Sequence, residues 1–360
     1  MQIIKDFFIK NNINAKAIAV GVSGGADSLA LALLLKEYLP DIKIVALTVD
    51  HKLRPTSLEE ALYTKDVMEK FGIEHHILTW EGEKPLTGIE EQARLARYEL
   101  LTNWCKKNSI GYLAIAHHLF DQAETFLMRI QRGSGVLGLS SMEDIVVRDG
   151  IYILRPLLDI SPVMLKEYLK NKNITWVEDE SNYCDDFLRV KMRKFLPFME
   201  KEVGISAERL CDTIKNLKRT KRFLEDSVNN TIKNQIKNWR NVAYSFDYSL
   251  FLDWHDELKF HILGKLIKEL NGLSYTPQAD ILLSVIESMC NNGFESATLG
   301  GCIILKNELK VFIIKEYRLK NQNIKNSAWE EFIKQNPEFR GIKIPHKLKI
   351  ALLKEKNNKI

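Results

Sequence analysis

The stretch Ala19-Val20-Gly21-Val22-Ser23-Gly24-Gly25-Ala26-Asp27-Ser28 decides the fold. It begins inside an apolar run, Ala17 to Val22, that reads as a buried strand. Ser23-Gly24-Gly25 follows at once, and Leu29 to Tyr38 then reads as a helix rich in Leu and Ala. A strand, a glycine turn and a helix start together make an anion site, because the N–H groups of the turn converge and the helix dipole adds partial positive charge. Gly24 and Gly25 let the backbone approach a phosphate with no Cβ in the way. Ser23 and Ser28 offer hydroxyl donors. Asp27 would repel a phosphate unless a Mg²⁺ ion sat between them. An ordinary strand-to-helix turn also ends in a Ser or Asp cap; two acceptable caps in one turn shift the balance toward the anion site. No Lys follows the glycines as a Walker A loop requires, and G-x-G-x-x-G is absent.

Outward from this loop, strand-like and helix-like stretches alternate. Strands are expected at 17–22, 43–49, 74–79 and 111–116, and helices at 28–38, 56–71, 89–107 and 120–131. This alternation predicts βαβ units, hence an α/β fold with a doubly wound parallel sheet whose ligands bind at the carboxyl ends of the strands. From about residue 160 the pattern changes. Ser161-Pro162 starts a helix, 204–240 reads as charged helices, 256–292 holds two more, and Ala297 to Ile314 reads as extended, with a hairpin turn at Asn307-Glu308. The tail after about 317 is rich in Lys and Asn and has no assignable pattern. The expected organisation is a catalytic domain over 1–200, a mainly helical basic domain over 201–295 and a short β-containing region over 296–360.

The composition, 45% hydrophobic and 28% charged over 360 residues, is that of a soluble globular protein of two or three domains. No apolar run reaches the length of a membrane span, and the N-terminus lacks a signal-peptide core. Cys105, Cys184, Cys211, Cys290 and Cys302 are scattered with no C-x-x-C pair, which favours reduced thiols in a cytoplasmic setting and argues against structural zinc or iron–sulfur clusters. Charge is uneven: residues 201–360 hold 27 Lys and Arg against 19 Asp and Glu, while the preceding residues are net acidic. The basic half suits a polyanion, or simply solvated helix faces.

Further constellations follow the strands. Thr48-Val49-Asp50-His51-Lys52-Leu53-Arg54 places His51 and Arg54 where adenine, ribose or phosphate would lie, or in a charged loop. In Gly88 to Tyr98, Glu90 and Arg94 are spaced as a helix salt bridge, and Arg94 and Arg97 suit phosphate contacts. In Ala116-His117-His118-Leu119-Phe120-Asp121-Gln122-Ala123-Glu124-Thr125, the i, i+3 spacing puts Asp121 and Glu124 on one helix face. Such a pair holds an ammonium group, holds a metal, or caps the helix. Adjacent His117 and His118 point opposite ways at a strand end, so one of them, His117 in our assignment, faces the nucleotide. Lys215, Lys218, Arg219, Lys221 and Arg222 make a dense basic run on a helix that Lys233, Lys237 and Arg240 continue. Trp239 nearby suits stacking on a base, although a buried Trp is the commoner outcome.

The loop Ser23-Gly24-Gly25-Ala26-Asp27-Ser28 resembles the SGGxDS loop of the ATP-pyrophosphatase, or PP-loop, enzymes. His117-His118 with Asp121-Gln122-Ala123-Glu124-Thr125 resembles the HHxDDQAET motif of one PP-loop family, the tRNA(Ile)-lysidine synthetases. Met128-Arg129 through Arg132-Gly133-Ser134-Gly135, Gly138-Leu139 and Met142 is similar to that family's LMRxxRGSGxxGLxxM. Arg155-Pro156-Leu157-Leu158, Glu178-Asp179-Glu180-Ser181-Asn182, Arg189 and Arg193 also match, so the likeness runs over roughly residues 17–200. The sequence departs from the family pattern at Phe120, where the family has the first Asp of a pair, at Val190, where an Asn is usual, and at Ser141, where a Gly is common.

The resemblance implies a ligase. ATP is split between its α and β phosphates, AMP is transferred to the C2 oxygen of the wobble cytidine (position 34) in a tRNA(Ile) with a CAU anticodon, and the amine of L-lysine displaces AMP to give lysidine. On that expectation Ser23, Gly24, Gly25, Ala26, Asp27, Ser28, His51 and His117 bind ATP, and Asp27 holds Mg²⁺. Arg97 offsets charge on the transferred phosphoryl group. Asp121 and Glu124 bind the lysine amine, and Arg189 or Arg193 binds its carboxylate or a tRNA phosphate. Lys215, Lys218, Arg219, Lys221 and Arg222 grip the tRNA. Relatives form dimers, so a homodimer is allowed; no membrane partner is expected. Two other readings stand beside this one: a PP-loop tRNA thiolase, which in many cases carries paired cysteines, and a non-catalytic tRNA-binding relative degraded at Phe120.

Overall fold

In the computed structural model, which describes residues 2–82, 84, 87–178, 188–273, 275–291, 293–316, 326–339 and 344–357, the chain divides into two compact units, Met1–Lys221 and Arg222–Ile360. The first unit opens with α1 (Ile3–Lys10), β1 (Ala17–Gly21), α2 (Ala26–Tyr38), β2 (Lys43–Asp50), α3 (Ser57–Lys70), β3 (Glu74–Thr79), α4 (Ile89–Lys107) and β4 (Tyr112–Ala114). It continues with α5 (Leu119–Gln131), α6 (Val136–Leu139), β5 (Ile145–Arg148), β6 (Ile151–Leu154), α7 (Pro162–Asn171), α8 (Leu188–Val203) and the first part of α9 (Ala207–Gln235). Its six strands run in the order β3-β2-β1-β4-β6-β5, all parallel except the β5 edge. The expected α/β doubly wound sheet is therefore present.

Residues 29–35 of α2 are all buried, which is why this helix carries no polar stripe. Leu29, Leu31, Leu34 and Leu35 pack with Ile18, Val20, Ile44 and the α7 residues Leu165 and Leu169 in one cluster. Each such leucine removed from water stabilises the fold by roughly 1.5–3 kcal/mol. That core anchors the loop that joins β1 to α2. After β1 the chain moves to β2 and β3 on one side and returns to place β4 on the other. The carboxyl ends of β1 and β4 thus flank the topological switch point, where α/β sheets open a crevice. The Ser23–Ser28 loop follows β1, and His117-His118 follows β4, so the topology alone brings these two motifs to the same place.

The edge hairpin β5–β6 was not expected, although its Asp149-Gly150 turn, with φ of 52° and 80°, is a strong type I′ signal.

The second unit holds the remainder of α9, then β7 (Lys237–Trp239), β8 (Ala243–Asp247), α10 (Tyr248–Asp253), α11 (Asp256–Asn271) and α12 (Ala279–Cys290). It ends with β9 (Ser296–Leu299), β10 (Cys302–Asn307), β11 (Lys310–Lys315), α13 (Asn326–Gln335) and α14 (His346–Asn357). The strands form one antiparallel sheet in the order β7-β8-β11-β10-β9. Along β11, Val311 and Ile313 face Leu263, Leu266 and Leu282 of α11 and α12. Phe312 and Ile314 face Phe332, Leu348 and Leu352 of α13 and α14. Covered on both faces, the strand loses its alternation and reads Val-Phe-Ile-Ile. The unassigned tail is thus the second cover of this sheet. The β10–β11 turn is Glu308-Leu309, one residue beyond the expected position.

The basic run is corrected at two places. The helix α9 ends at Gln235, so Lys237 and Arg240 do not continue it; Trp239 takes the commoner of its two expected outcomes, lying buried in β7 with its indole N–H donating to Ser245 Oγ at 2.8 Å. It belongs to the apolar cluster on the α13/α14 side of the sheet rather than to a base-stacking surface. Lys218 is also buried, and its ammonium pairs with Asp144 at 2.9 Å. Lys221 pairs with Glu143, and Lys215 with Asp159 at 3.2 Å. Helical period therefore splits the run. Lys218 and Lys221 point into the first unit, whereas Arg219 and Arg222 are exposed. Among the described residues no helix is long and apolar enough to cross a membrane.

Removing Lys218 leaves the partly buried Asp144 with only the exposed Lys10, at 3.3 Å, among the described residues, whereas Arg219 makes a surface bond to Asn216. Lys218→Ala is expected to lower unfolding free energy by about 1–3 kcal/mol, and Arg219→Ala by less than about 0.5 kcal/mol. Urea denaturation reads both, and equal midpoints would show that the inward pairing contributes nothing.

Candidate active site at the sheet switch point

The loop is built from its own backbone. Gly24 adopts φ +85°, and a Cβ there would meet Thr64 Oγ1 at 2.7 Å, so only glycine fits. Val177 N–H donates to Gly24 O at 3.0 Å, which closes the loop from the far side of the chain. Ser28 is buried. Its hydroxyl donates to Gly25 O at 2.9 Å and accepts from Ser23 N–H at 3.1 Å. That hydroxyl therefore holds the loop, and it lies 3.3 Å from the hydroxyl of Ser23, which is exposed. Gly25 is the N-cap of α2 and offers no side-chain cap, so the first N–H groups of the helix are left for an anion.

Asp27 stands in the first turn of α2. Burial raises its carboxyl above the usual range, and the charge of nearby His118 works against that rise. Its Oδ1 is buried without a hydrogen-bond partner, and Oδ2 lies 3.6 Å from His118 Nε2. A buried carboxylate oxygen left unpaired is costly, and a cation is what would satisfy it. No cluster of three or more His, Cys, Asp or Glu residues among the described residues could hold a metal by itself. One carboxylate plus substrate phosphates is a donor set that suits Mg²⁺.

His118 caps α5. Its Nδ1 accepts from Asp121 N–H at 3.4 Å, while Asp121 Oδ2 accepts from His118 N–H at 2.9 Å. In the neutral form of the ring, that bond puts its proton on Nε2, facing Asp27. His118 thus links the two motifs, a role that sequence reasoning missed. His117 is turned the other way: its Nδ1 accepts from Arg155 Nε at 3.2 Å. Burial, with a smaller contribution from Arg155, pushes its pKa down to about 3, so the ring stays neutral and presents Nε2–H as a donor. Arg155 also donates to Glu143 O at 2.9 Å, so the Arg-Pro-Leu-Leu motif acts by orienting His117.

Glu124 is fully buried, and two guanidinium groups close on it. Arg189 Nε reaches Glu124 Oε2 and Arg193 Nε reaches Oε1, both at 2.7 Å, and Arg189 Nη2 reaches Asp121 Oδ1 at 2.5 Å. Burial would raise the Asp121 carboxyl, but the charges of His118 and Arg189 more than reverse this and hold it below the usual range. Burial disfavours the Arg189 cation, and its two carboxylates outweigh that. The four residues expected to receive lysine are therefore brought together, but they are bonded to one another.

Arg97 on α4 is half-buried and has no carboxylate partner among the described residues; burial, then the nearby charge of Arg94, depresses its pKa. A half-buried cation with no carboxylate beside it is short of negative charge. His51, after β2, packs edge-to-face on Trp80 at 5.8 Å, and its Nδ1 is buried without a partner. Burial, then the charge of Arg97, lowers its pKa. Arg54 pairs with Glu60 at 3.5 Å. Of the remaining motif residues, Gln122 clamps Met142 by two backbone hydrogen bonds of 2.9 Å, and the Arg129 guanidinium bonds Gly138 O. These build the turn after α5. Asp179, Glu180, Ser181 and Asn182 lie outside the described residues.

Residues 2–199 match a family described as a PP-loop domain. A tRNA(Ile)-lysidine synthase from Wolbachia pipientis wMel is 35% identical over 322 residues, covering 86% of this chain and 74% of that protein. The chain belongs to the tRNA(Ile)-lysidine synthase family of PP-loop proteins. The synthase of Orientia tsutsugamushi (strain Boryong) is 34% identical, covering 83% of this chain and 70% of its own. The solved structure of a U34-tRNA thiolase, NcsA from Methanococcus maripaludis with its [4Fe-4S] cluster, aligns over 60% of this chain and 77% of its own. At 18% identity and a TM-score of 0.51 it shares the fold.

The departures from the synthase pattern have physical reasons. Phe120 packs in the apolar cluster of Leu119, Ala123, Leu196 and Ile214. Val190 is buried on the inner face of α8. With Phe at 120, two carboxylates face two guanidiniums. Ser141 has φ +59°, which explains why glycine is common there.

Glu124→Gln is expected to destabilise the protein by about 1–3 kcal/mol, the range for a buried charged pair discounted for the partial exposure of both arginines. Chemical denaturation reads this, and an unchanged midpoint would show that the cluster does not tie α8 to α5.

Proposed function

We propose that the chain ligates L-lysine to C2 of the wobble cytidine of a tRNA(Ile) with a CAU anticodon, consuming ATP and releasing AMP and pyrophosphate through an adenylated cytidine. The observation that carries this reading is the unbroken polar line from Asp27 through His118 and Asp121 to Arg189, Glu124 and Arg193. It joins the phosphate loop to a charged cluster that suits an amino acid. Family membership supplies the prior for the substrates.

In this reading the Gly24-Gly25 loop, Ser23 and the α2 N–H groups hold the phosphates. Asp27 would hold Mg²⁺, which supplies charge to offset the developing phosphoryl oxyanion. Arg97 does the same from α4. His117 and His51 border the nucleotide. Arg189 spends Nε and Nη2 on carboxylates and keeps Nη1, which has no partner among the described residues, for the carboxylate of lysine. The lysine ammonium then competes with the guanidiniums for Asp121 and Glu124. Arg219 and Arg222, exposed on α9, contact the tRNA backbone. On this reading the protein works in the cytoplasm, in keeping with cysteines that form no C-x-x-C pair. A sulfur-transfer reading has less support: Cys105, Cys211 and Cys302 are buried, and burial pushes their thiols up, the reverse of nucleophile activation, while the exposed Cys290 belongs to the second compact unit and not to the one that holds the phosphate loop.

Labelled lysine should enter a CAU-anticodon tRNA only when ATP is present; tight tRNA binding without incorporation would leave a non-catalytic relative. Arg97→Ala is expected to lower kcat by about 10²–10³. Asp27→Asn should abolish incorporation and yet raise the thermal midpoint at pH 7. A carboxyl whose folded pKa is raised destabilises the folded state once pH exceeds its unfolded value. An unchanged or lowered midpoint would show that Asp27 is not strained by burial.

A further inference from the structure

The helix that delivers Arg189 and Arg193 to the site has a second face. Leu196 is buried against α5, with Met192 and Met199 beside it, and Val190 is buried as well. On the outer side Phe195 and Phe198 stand 46% and 57% exposed. Their rings are stacked, with centroids 5.8 Å apart and planes inclined by 26°. Adjacent large apolar side chains left in water mark a contact surface more often than single ones do. The spacing adds direction. Lys191 and Lys194 precede the two rings by one turn each, so exposed cations flank them at the end of the helix nearest Arg189. The far end closes with the surface pair Lys201–Glu202. Phe195 lies about 9 Å along the axis from Arg189 and on the opposite face of α8, so an RNA loop would reach it by crossing over the helix.

We propose that Phe195 and Phe198 form a stacking platform for unpaired bases of the RNA substrate beside the modified nucleotide, with Lys191 on the phosphate backbone. The proposal rests on the reading that an anticodon loop is the substrate. Aromatic rings interleaved with cations are what single-stranded nucleic acid needs, because every base offers a π-face and every link a negative charge. A second copy of the chain would need roughly 800 Å² per partner for a stable interface, far more than two phenyl rings provide.

The test uses the full chain and an RNA stem-loop carrying the CAU anticodon loop, with an RNA duplex lacking unpaired bases as control. Phe195→Ala and Phe198→Ala should each weaken loop binding about fivefold or more, the low end of base–aromatic stacking. Duplex affinity, ATP affinity, thermal midpoint and the salt slope of loop binding should stay as in the parent. Lys191→Gln should instead lower that salt slope by about one. Phe195→Trp should retain affinity and show indole quenching on adding the stem-loop. Loop affinity unchanged in the double alanine variant overturns the platform, as does an equal loss of loop and duplex binding. A change in oligomeric state without a change in loop affinity overturns it too and makes the patch an interface between copies. If the parent incorporates lysine while the double variant binds the loop like the parent, the platform fails and the synthase reading stands. If the parent binds the loop, the variants weaken it and no lysine is incorporated, the platform stands and the synthase reading fails.

Discussion

A carboxylate taken wholly out of water must be paired, and Glu124 is fully buried. Much of the site follows from that one requirement. Two guanidiniums from α8 must reach α5, so α8 lies along it, and Arg189 is drawn far enough to bridge Asp121 as well. Asp121 in turn completes the cap of α5 with His118. A single desolvated acid therefore fixes the angle of one helix, the start of another and the tautomer of a histidine. Fixing the inner face of α8 also fixes which residues it shows to solvent.

The second organising constraint is topological. The order of strands reverses between β1 and β4, so the loops after these two strands share a crevice although about ninety residues separate them. Burial at that crevice has opposite effects on its two acids. Asp27 has one histidine nearby and no guanidinium bonded to it, and its carboxyl is raised. Asp121 is bonded directly to Arg189, and its carboxyl is lowered. A group that is raised by burial is available to a cation; a group that is lowered by a partner has already found one.

The phosphate loop and the α/β class were legible because their signals are local: an apolar run, two glycines and a helix start. The i, i+3 spacing of Asp121 and Glu124 was legible too, but their partners were not, since Arg189 and Arg193 lie more than sixty residues away and competition for the same carboxylates leaves no trace in spacing. Lys218 and Lys221 look like surface charges in a basic run; the turn of α9 points them inward at Asp144 and Glu143. Lys237 and Arg240 read as an extension of the helical cations because a three-residue strand is too short to show a period. The tail after 317 escaped assignment because its apolar residues cover a sheet formed earlier in the chain, a non-local fact. Asp149-Gly150, by contrast, is a hairpin signal carried by two adjacent residues.

The clasp around Gly24 has a consequence for how the protein meets its nucleotide. Thr64 on α3 crowds the glycine from one side, and Val177 bonds its carbonyl from the other. The array of N–H groups is thus set while the chain folds, and the entropy of ordering it is spent before any ligand arrives. Such a receptor discriminates by shape rather than by closing. It also spreads sensitivity outward: Thr64, fully buried and bonded to the carbonyl of Glu60, belongs to the core by any measure of packing. Drift at that threonine would nevertheless surface as a defect in chemistry.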